Sequence, residues 1–144
     1  MHRAVVVVTG ASSGVGRVTA VECARRGAHV VLAARSGVQL AEVARECRAR
    51  GGEALAVPTD VSDERAVEAL ARAAVRRFGR IDVWVNAAGV GILGRFDQVP
   101  LGQLRRVIDV NVLGAVLGAR AAVPVMRRQG GGTLIDVASV LVDM

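Results

Sequence analysis

Residues 4–16, AVVVVTGASSGVG, join an apolar run to a glycine-rich turn, and a helical pattern follows. The β-branched valines favour a buried strand, whereas Gly10, Gly14 and Gly16 allow the backbone to approach a ligand closely. A helix N-terminus offers free N–H groups and the positive end of a dipole, which together favour a phosphate. The stretch therefore predicts a nucleotide-binding strand–turn–helix unit; a tight structural turn is the alternative that these residues leave open.

Four more apolar runs along the chain favour strands, and helical patterns separate them. The runs are HVVLAA (29–34), EALAV (53–57), IDVWV (81–85) and TLIDVA (133–138). The third helix carries one apolar stripe and has Ser62 as its expected N-cap. The stripe consists of Val67, Leu70, Ala71, Ala74 and Phe78. Before the last strand, a Gly-rich loop (87–94) leads into a long helical segment (101–128). Strands that alternate with helices, without a hairpin signal, predict a parallel α/β sheet in one domain, residues 1–144.

The positive charge of the chain is concentrated at predicted helix ends. The 144 residues carry a net charge of +6, and all 19 basic residues are arginine. Many of them lie in CARRG (23–27), CRARG (47–51), RRFGR (76–80) and RRQG (127–130). Cations in the last turn and a glycine after it are typical of helix C-termini. We therefore expect solvated helix ends, and no nucleic-acid surface.

Cysteine usage and hydropathy point to a cytoplasmic protein. Cys23 and Cys47 match no metal-ligand spacing, so we expect reduced thiols and no metal site. The apolar run at 4–8 is too short for a signal peptide or a membrane span. These features predict a soluble, cytoplasmic chain with no membrane association.

Five motifs, in order along the chain, together resemble the short-chain dehydrogenase/reductase family. They are TGASSGVG (9–16), TDVSD with Asp60, NAAG (86–89), DVNVLG with Asn111 and DVASV with Ser139. The resemblance implies a Rossmann-type, doubly wound parallel sheet with strand order 3-2-1-4-5. It also implies reversible hydride transfer between a nicotinamide cofactor and a small carbonyl or alcohol substrate.

The resemblance further implies which residues bind the cofactor. Asp60 and Val61 would contact the adenine, and residues 86–89 would form the cofactor-side wall. The whole implied set is Gly10, Ser12, Ser13, Gly14, Val15, Gly16, Asp60, Val61, Asn86, Ala87, Ala88 and Gly89. Spacing alone favours a turn residue before the Ser62 cap as the interpretation of Asp60, and a turn residue at the end of a strand is the alternative for Asn86.

Arg35 favours NADP over NAD as the cofactor. It follows the second predicted strand, where an acidic residue would accept the ribose 2′-hydroxyl of NAD, and its guanidinium suits a 2′-phosphate instead. Arg17, just inside the first helix, would add to the same positive field. A solvated loop arginine is the alternative for Arg35.

Asn111 and Ser139 are the candidate catalytic residues. Helical periodicity places Asn111 in an apolar stripe, so we expect a buried amide that needs hydrogen-bond partners. That stripe contains Leu104, Ile108, Ala115, Ala119, Ala122 and Met126. The resemblance implies that Asn111 holds a water in a proton relay and that Ser139 orients the substrate oxygen.

The family's proton donor, a Tyr with a Lys four residues later, follows the serine by a little over ten residues. Only five residues follow Ser139, and the chain contains neither Tyr nor Lys. We therefore expect a domain truncated after the fifth strand, with little or no activity alone. Three hypotheses remain: an N-terminal fragment or shortened product of an NADP-dependent enzyme, a non-catalytic nucleotide-binding or interaction module, and a decayed reading frame. The resemblance also implies a homo-oligomer formed through residues 101–128.

Overall fold

A computed structural model of the protein describes residues 3–139. The strands are β1 (Val5–Thr9), β2 (His29–Ala34), β3 (Ala54–Pro58), β4 (Val83–Asn86) and β5 (Thr133–Asp136). The α-helices are α1 (Gly14–Arg25), α2 (Gly37–Ala49), α3 (Glu64–Phe78), α4 (Leu101–Val107) and α5 (Gly114–Arg128). A 3₁₀ turn (Phe96–Gln98) precedes α4, and a π-helical turn (Ile108–Leu113) joins α4 to α5.

The five strands form one parallel sheet in the order β3-β2-β1-β4-β5, which confirms the predicted architecture. Val6 of β1 pairs with Val30 on one side and with Val83 on the other. Because every neighbouring pair is parallel, all five carboxyl ends meet at the same edge of the sheet. The loops that follow the strands therefore converge at this edge.

Alternation along β1 divides the core into two layers. Val5 and Val7 belong to the layer that includes residues of α3 and α5, whereas Val6 and Val8 belong to the layer that includes residues of α1 and α2. Successive side chains of a strand point to opposite faces, and helices cover both faces here, so all five residues of β1 are buried. A continuous apolar run was thus the correct signal for a central strand.

Each arginine-rich stretch lies at the end of a helix, as predicted. The clearest case is Gly79, which follows α3 with a φ of 81° and donates its N–H to the carbonyl of Val75 at 2.8 Å. This left-handed cap satisfies one of the free carbonyls of the last turn. These helix ends lie opposite the edge at which the strand carboxyl ends meet.

Asp63 caps α3, so the prediction of Ser62 as N-cap was wrong. The Asp63 carboxylate accepts hydrogen bonds from the N–H groups of Arg65 at 2.9 Å and Ala66 at 3.4 Å. The hydroxyl of Ser62 instead donates to Asp60 at 2.7 Å. A serine and an aspartate in succession offer two possible caps, and tertiary contacts selected the second.

Residues 101–128 are helical throughout, but the π turn moves the apolar stripe. At the end of this turn the N–H of Gly114 bonds to the carbonyl of Asp109, five residues earlier. The wider turn accommodates one extra residue, so the helix face after it differs from a regular 3.6-residue pattern. The buried residues of this segment are Val110, Gly114, Leu117, Gly118, Ala122 and Met126. Asn111 is therefore exposed, which corrects the expectation of a buried amide.

Candidate functional site

A cavity of about 700 Å³ opens at the carboxyl ends of the strands. Its volume falls within the range of about 300–1,000 Å³ typical of small-molecule sites. The wall is formed by Gly10, Ser12, Ser13, Gly14, Val15, Ala34, Arg35, Ser36, Gln39, Thr59, Asp60, Val61, Ala87, Ala88, Gly89, Val90, Arg106, Val110 and Val137. All the residues predicted to bind a cofactor lie in this wall except Gly16 and Asn86.

The glycine turn after β1 is packed so tightly that side chains are excluded at two positions. Gly10 has a φ of 68°, and a Cβ on it would lie 2.7 Å from the backbone N of Ala88. A Cβ on Gly16 would lie 2.7 Å from the carbonyl carbon of Gly10. Gly16 thus lets α1 approach the turn, which explains why it is needed although it does not line the cavity.

Thr9 joins the end of β1 to the loop that follows β4. Its Oγ1 accepts hydrogen bonds from the N–H groups of Ala87 at 3.2 Å and Ala88 at 3.3 Å. The side chain is buried at the last position of β1. We did not predict this role, because it becomes visible only when β1 and β4 are known to be adjacent.

The N-terminus of α1 has no side-chain cap, unlike those of α2 and α3. Ser36 accepts a hydrogen bond from the Gln39 N–H at the start of α2, and Asp63 does the same at α3. Ser13, the N-cap of α1, accepts none through its side chain. The N–H groups in the first turn of α1 therefore remain available to a ligand at the cavity wall, which includes Gly14. Such an end binds phosphates and other anions.

Asp60 lies in a hydrogen-bonded group at the part of the cavity wall that follows β3. Its carboxylate accepts from the hydroxyl of Ser62 at 2.7 Å, from the N–H of Ser62 at 3.0 Å and from the guanidinium of Arg106 at 3.2 Å. The hydrogen bond from the Ser62 hydroxyl is the main cause that holds the pKa of Asp60 below its ordinary value, and Arg106 contributes. Arg106 belongs to α4, so no local pattern in the sequence links it to Asp60.

Of the two arginines predicted to face a 2′-phosphate, only Arg35 lines the cavity. Its side chain is exposed, and it forms no ion pair with any residue in the described range 3–139. Arg17 instead contacts Glu46 of α2 at 3.0 Å and lies outside the cavity wall. The contribution expected of Arg17 was therefore wrong, because a carboxylate on the neighbouring helix engages it.

Asn86 is buried within the structure and does not line the cavity, which corrects its place in the predicted wall. Its Oδ1 accepts from the indole N–H of Trp84 at 2.8 Å. Its Nδ2 donates to Asp136 of β5 at 2.8 Å and to the carbonyl of Ala115 at 3.2 Å. Asn86 thus joins β4 to β5 and α5, while the next three residues of NAAG reach the cavity.

Asn111 holds the loop after β4 in place. Its Oδ1 accepts from the N–H of Val90, and its Nδ2 donates to the carbonyl of the same residue, both at 2.9 Å. Val90 lines the cavity, so Asn111 contacts the wall from behind. Both the oxygen and the nitrogen of the amide are thus engaged even though the residue is exposed, and each keeps capacity for a further hydrogen bond.

Ser139 lies three residues beyond the end of β5 and is exposed. Among residues 3–139 it forms no side-chain hydrogen bond, so the structure does not join it to Asn111. Val137, two residues earlier, does line the cavity. The five residues after Ser139 lie outside the described range.

Comparison with known proteins places these features in a family. The sequence model described as "short chain dehydrogenase" matches residues 4–144. The oxidoreductase YxnA of Bacillus subtilis is 43% identical over 140 residues, which cover 96% of this chain and 39% of that protein. An L-rhamnose 1-dehydrogenase (NAD(P)(+)) of Azotobacter vinelandii is 41% identical, with coverage of 94% and 55%.

Solved structures agree with the sequence relatives. A short-chain dehydrogenase/reductase from Burkholderia phymatum in complex with NAD has a TM-score of 0.92 and 37% identity, covering 96% of this chain and 50% of that chain. An alcohol dehydrogenase from Thermococcus sibiricus, complexed with 5-hydroxy-NADP, has a TM-score of 0.87 and 34% identity, with coverage of 93% and 57%. The present chain thus spans about half the length of these structures.

Proposed function

The chain belongs to the short chain dehydrogenase family, and on this premise we propose that it forms the dinucleotide-binding part of an NADP-dependent oxidoreductase. The observation that carries the proposal is the cavity at the strand carboxyl ends, where the uncapped N-terminus of α1 meets the loops after β2, β3 and β4. When bound, the nicotinamide cofactor supplies or accepts a hydride, and a small carbonyl compound or alcohol is the substrate class.

The residues of the cavity match the chemistry of a dinucleotide. The glycine turn and the free N–H groups of α1 suit a pyrophosphate, because the backbone can approach it without side chains in between. Asp60 and Val61 offer an acceptor and an apolar surface to an adenine ring. Ala87, Ala88 and Gly89 line the cavity after β4, next to the glycine turn.

Arg35 supports a preference for NADP. It extends the cavity wall after β2 beside Ser36, and no described carboxylate competes for it. A charge-assisted hydrogen bond to a 2′-phosphate contributes about 1.5–3 kcal/mol, equal to at least about a tenfold preference. The names of the relatives include both NAD and NADP, so the proposed preference rests on this arginine.

Titration of the purified protein with NADPH and NADH tests both parts of the proposal. We expect tighter binding of NADPH and loss of that preference in Arg35→Gln. Arg17→Gln is the matched control, because it removes the same charge from an arginine engaged by Glu46 outside the cavity. Equal affinities in the wild type would contradict the role of Arg35, and absence of binding to either nucleotide would contradict the proposed function.

Catalysis would involve Asn111 and Ser139 only in supporting roles. We propose that Asn111 positions a water and that Ser139 orients the substrate oxygen. These 144 residues contain no Tyr and no Lys, so they supply neither the family's proton donor nor the lysine that accompanies it. General acid–base catalysis contributes about 10²–10⁴-fold in rate. We therefore propose that residues 1–144 alone bind nucleotide with little or no turnover, and a steady-state assay of nicotinamide absorbance measures this directly.

A non-catalytic nucleotide-binding module is the second candidate. The cavity at the strand carboxyl ends, combined with the absence of Tyr and Lys from these 144 residues, is the observation that favours it. The coding sequence beyond Met144 separates the two hypotheses. A Tyr-x-x-x-Lys pattern within about 20 codons supports the enzyme, and its absence supports the module or a decayed reading frame.

The exposed side of the 101–128 segment supports a homo-oligomer. Leu101, Ile108 and Val112 are 61%, 58% and 58% exposed, and Val116 and Val123 are also exposed. Burying such a patch against a second copy would remove apolar area from water. Sedimentation of the wild type and of Ile108→Glu tests this assembly, because the charge would oppose it.

By length and composition alone, the helical segment Leu101–Arg128 would be able to cross a membrane. Leu117, Ala122 and Met126 of this segment pack against the core beside β4, whereas most of its apolar stretch is exposed. We propose a soluble, cytoplasmic protein whose arginine-rich helix ends face solvent and do not bind nucleic acid.

A further inference from the structure

Arg106 reaches from α4 across to the loop after β3. Its Nη1 donates to the hydroxyl of Ser62 at 2.9 Å, and its Nη2 donates to the two carboxylate oxygens of Asp60 at 3.2 and 3.4 Å. The Ser62 hydroxyl in turn donates to Asp60 at 2.7 Å. The three side chains therefore form a closed ring of hydrogen bonds. Each hydrogen-bond donor in the ring points at a partner within it, which restricts the orientation of the side chains.

The ring leaves part of the Asp60 carboxylate free. Oδ1 accepts both bonds from Ser62 and the longer bond from Arg106, whereas within residues 3–139 Oδ2 accepts one bond, from Arg106. A carboxylate oxygen has two acceptor sites, so Oδ2 retains capacity at the cavity wall. The contacts with Ser62 and Arg106 fix the side-chain rotamer of Asp60. They therefore also fix the orientation of the free acceptor site on Oδ2.

The helical segment that contains Arg106 also contacts two other residues of the cavity wall, Val61 and Val90. Gly114, at the start of α5, packs so closely on Val61 that an added Cβ would lie 2.9 Å from its Cγ2. Asn111, between Arg106 and Gly114, holds Val90 with two hydrogen bonds. The segment from 106 to 114 thus contacts two cavity loops that are about 30 residues apart in sequence.

We infer that Arg106 is a positioning residue for nucleotide binding, which acts through Asp60 on the adenine half of the ligand. This inference rests on the proposed function. Arg106 itself remains engaged with Ser62 and Asp60, so its contribution is to hold the acceptor in one orientation before the nucleotide arrives. Preorganisation of this kind raises affinity because less conformational freedom is lost on binding.

The test compares binding of ADP and of nicotinamide mononucleotide to the wild type, Arg106→Gln, Arg106→Lys and Ser62→Ala by calorimetry. Exposed pairs of this kind contribute modestly, so we expect ADP affinity to fall about two- to fivefold in Arg106→Gln. Affinity for nicotinamide mononucleotide, which lacks adenine, should not change. Arg106→Lys should recover part of the loss, and Ser62→Ala should reproduce part of it.

Arg105→Gln is the matched control, because Arg105 is the preceding residue of α4, is exposed and forms no ion pair with a residue in 3–139. Equal ADP affinity in Arg106→Gln and the wild type would overturn the inference, as would an equal loss in Arg105→Gln or an equal loss for nicotinamide mononucleotide. If the wild type binds neither ADP nor NADPH, the proposed function fails and the inference fails with it. Circular dichroism confirms that each variant is folded before its affinity is compared.

Discussion

Replacing Gly118 with alanine tests the packing of α5 against the buried amide of Asn86. A Cβ at this position would lie 2.7 Å from the indole Nε1 of Trp84 and 3.1 Å from Cγ of Asn86, and closer still to its Oδ1. Trp84 and Asn86 are buried and joined by a 2.8 Å hydrogen bond. The methyl group must therefore displace either the amide or the helix.

Three effects set the magnitude of the change in stability. Alanine favours the helix over glycine by about 1 kcal/mol. Overpacking of a filled site costs about 1–3 kcal/mol. Loss of the Trp84–Asn86 bond leaves a buried indole N–H unsatisfied, at about 1–3 kcal/mol. The net expectation for Gly118→Ala is a free energy of unfolding about 1–5 kcal/mol lower than that of the wild type.

Thermal and urea unfolding followed by circular dichroism measure this difference, and a loss of 1 kcal/mol lowers Tm by about 3–5 °C for a chain of this size. Gly102→Ala in α4 is the matched control, because no heavy atom lies within 4 Å of its added Cβ. The control should leave stability unchanged or raise it by up to about 1 kcal/mol. A Gly118→Ala variant as stable as Gly102→Ala would refute the account of this interface.

Three further predictions concern the cavity and its surroundings. Gly14→Ala adds a Cβ at a φ of 52° with no atom within 4 Å, so it should cost only about 1–2 kcal/mol of backbone strain. It should also weaken NADPH binding at least about tenfold in a fluorescence titration, because the methyl group lies at the turn that approaches the phosphates. Asn111→Ala removes two hydrogen bonds to Val90, worth about 0.5–1.5 kcal/mol each, and should speed amide exchange of Val90 in hydrogen–deuterium exchange. Burial raises the pKa of the Cys47 thiol to about 11, so at pH about 8 it should be alkylated only after unfolding, as mass spectrometry would show.

Each of these predictions has an outcome that contradicts it. Gly51→Ala carries the same kind of strain, with a φ of 95° and no atom within 4 Å, at the end of the sheet away from the cavity. An equal loss of NADPH affinity in this variant would remove the special role of Gly14. Unchanged exchange at Val90 would show that its contacts with Asn111 contribute nothing to loop order. Rapid alkylation of folded protein at Cys47 would show that the thiol is accessible.

Much of the fold followed from local patterns. The run at 29–34 matched β2 residue for residue, and the other strands differed by at most two residues at either end. The stripe of α3 was correct at Val67, Leu70, Ala71 and Ala74, which are all buried. These patterns were sufficient because each reflects one element packed on one sheet face, with a regular period of 2 or 3.6 residues.

Prediction was less accurate where the period changes or where contacts between distant residues select among equivalent groups. The π turn at 108–113 moved Asn111 out of the apolar stripe, and no residue in the sequence marks the extra position. Asp60 bonds with Ser62 beside it, but its partner Arg106 is 46 residues away in sequence. Asn86 was expected at the cavity and instead satisfies the buried Trp84.

The sequence by itself determined the parallel sheet, the glycine turn and the family motifs, because these depend on residue types at short, regular spacing. The tertiary structure alone decided which polar groups meet. It assigned Arg17 to Glu46, Arg106 to Asp60 and Asn86 to the interior. The physical reason is that hydrogen bonds and ion pairs form over about 3 Å, so they depend on how separate elements pack and not on spacing along the chain. For the glycine turn after β1, the tertiary structure added contacts that the sequence does not reveal. Thr9, just before the turn, accepts hydrogen bonds from Ala87 and Ala88 after β4, and the backbone of these two residues packs against Gly10.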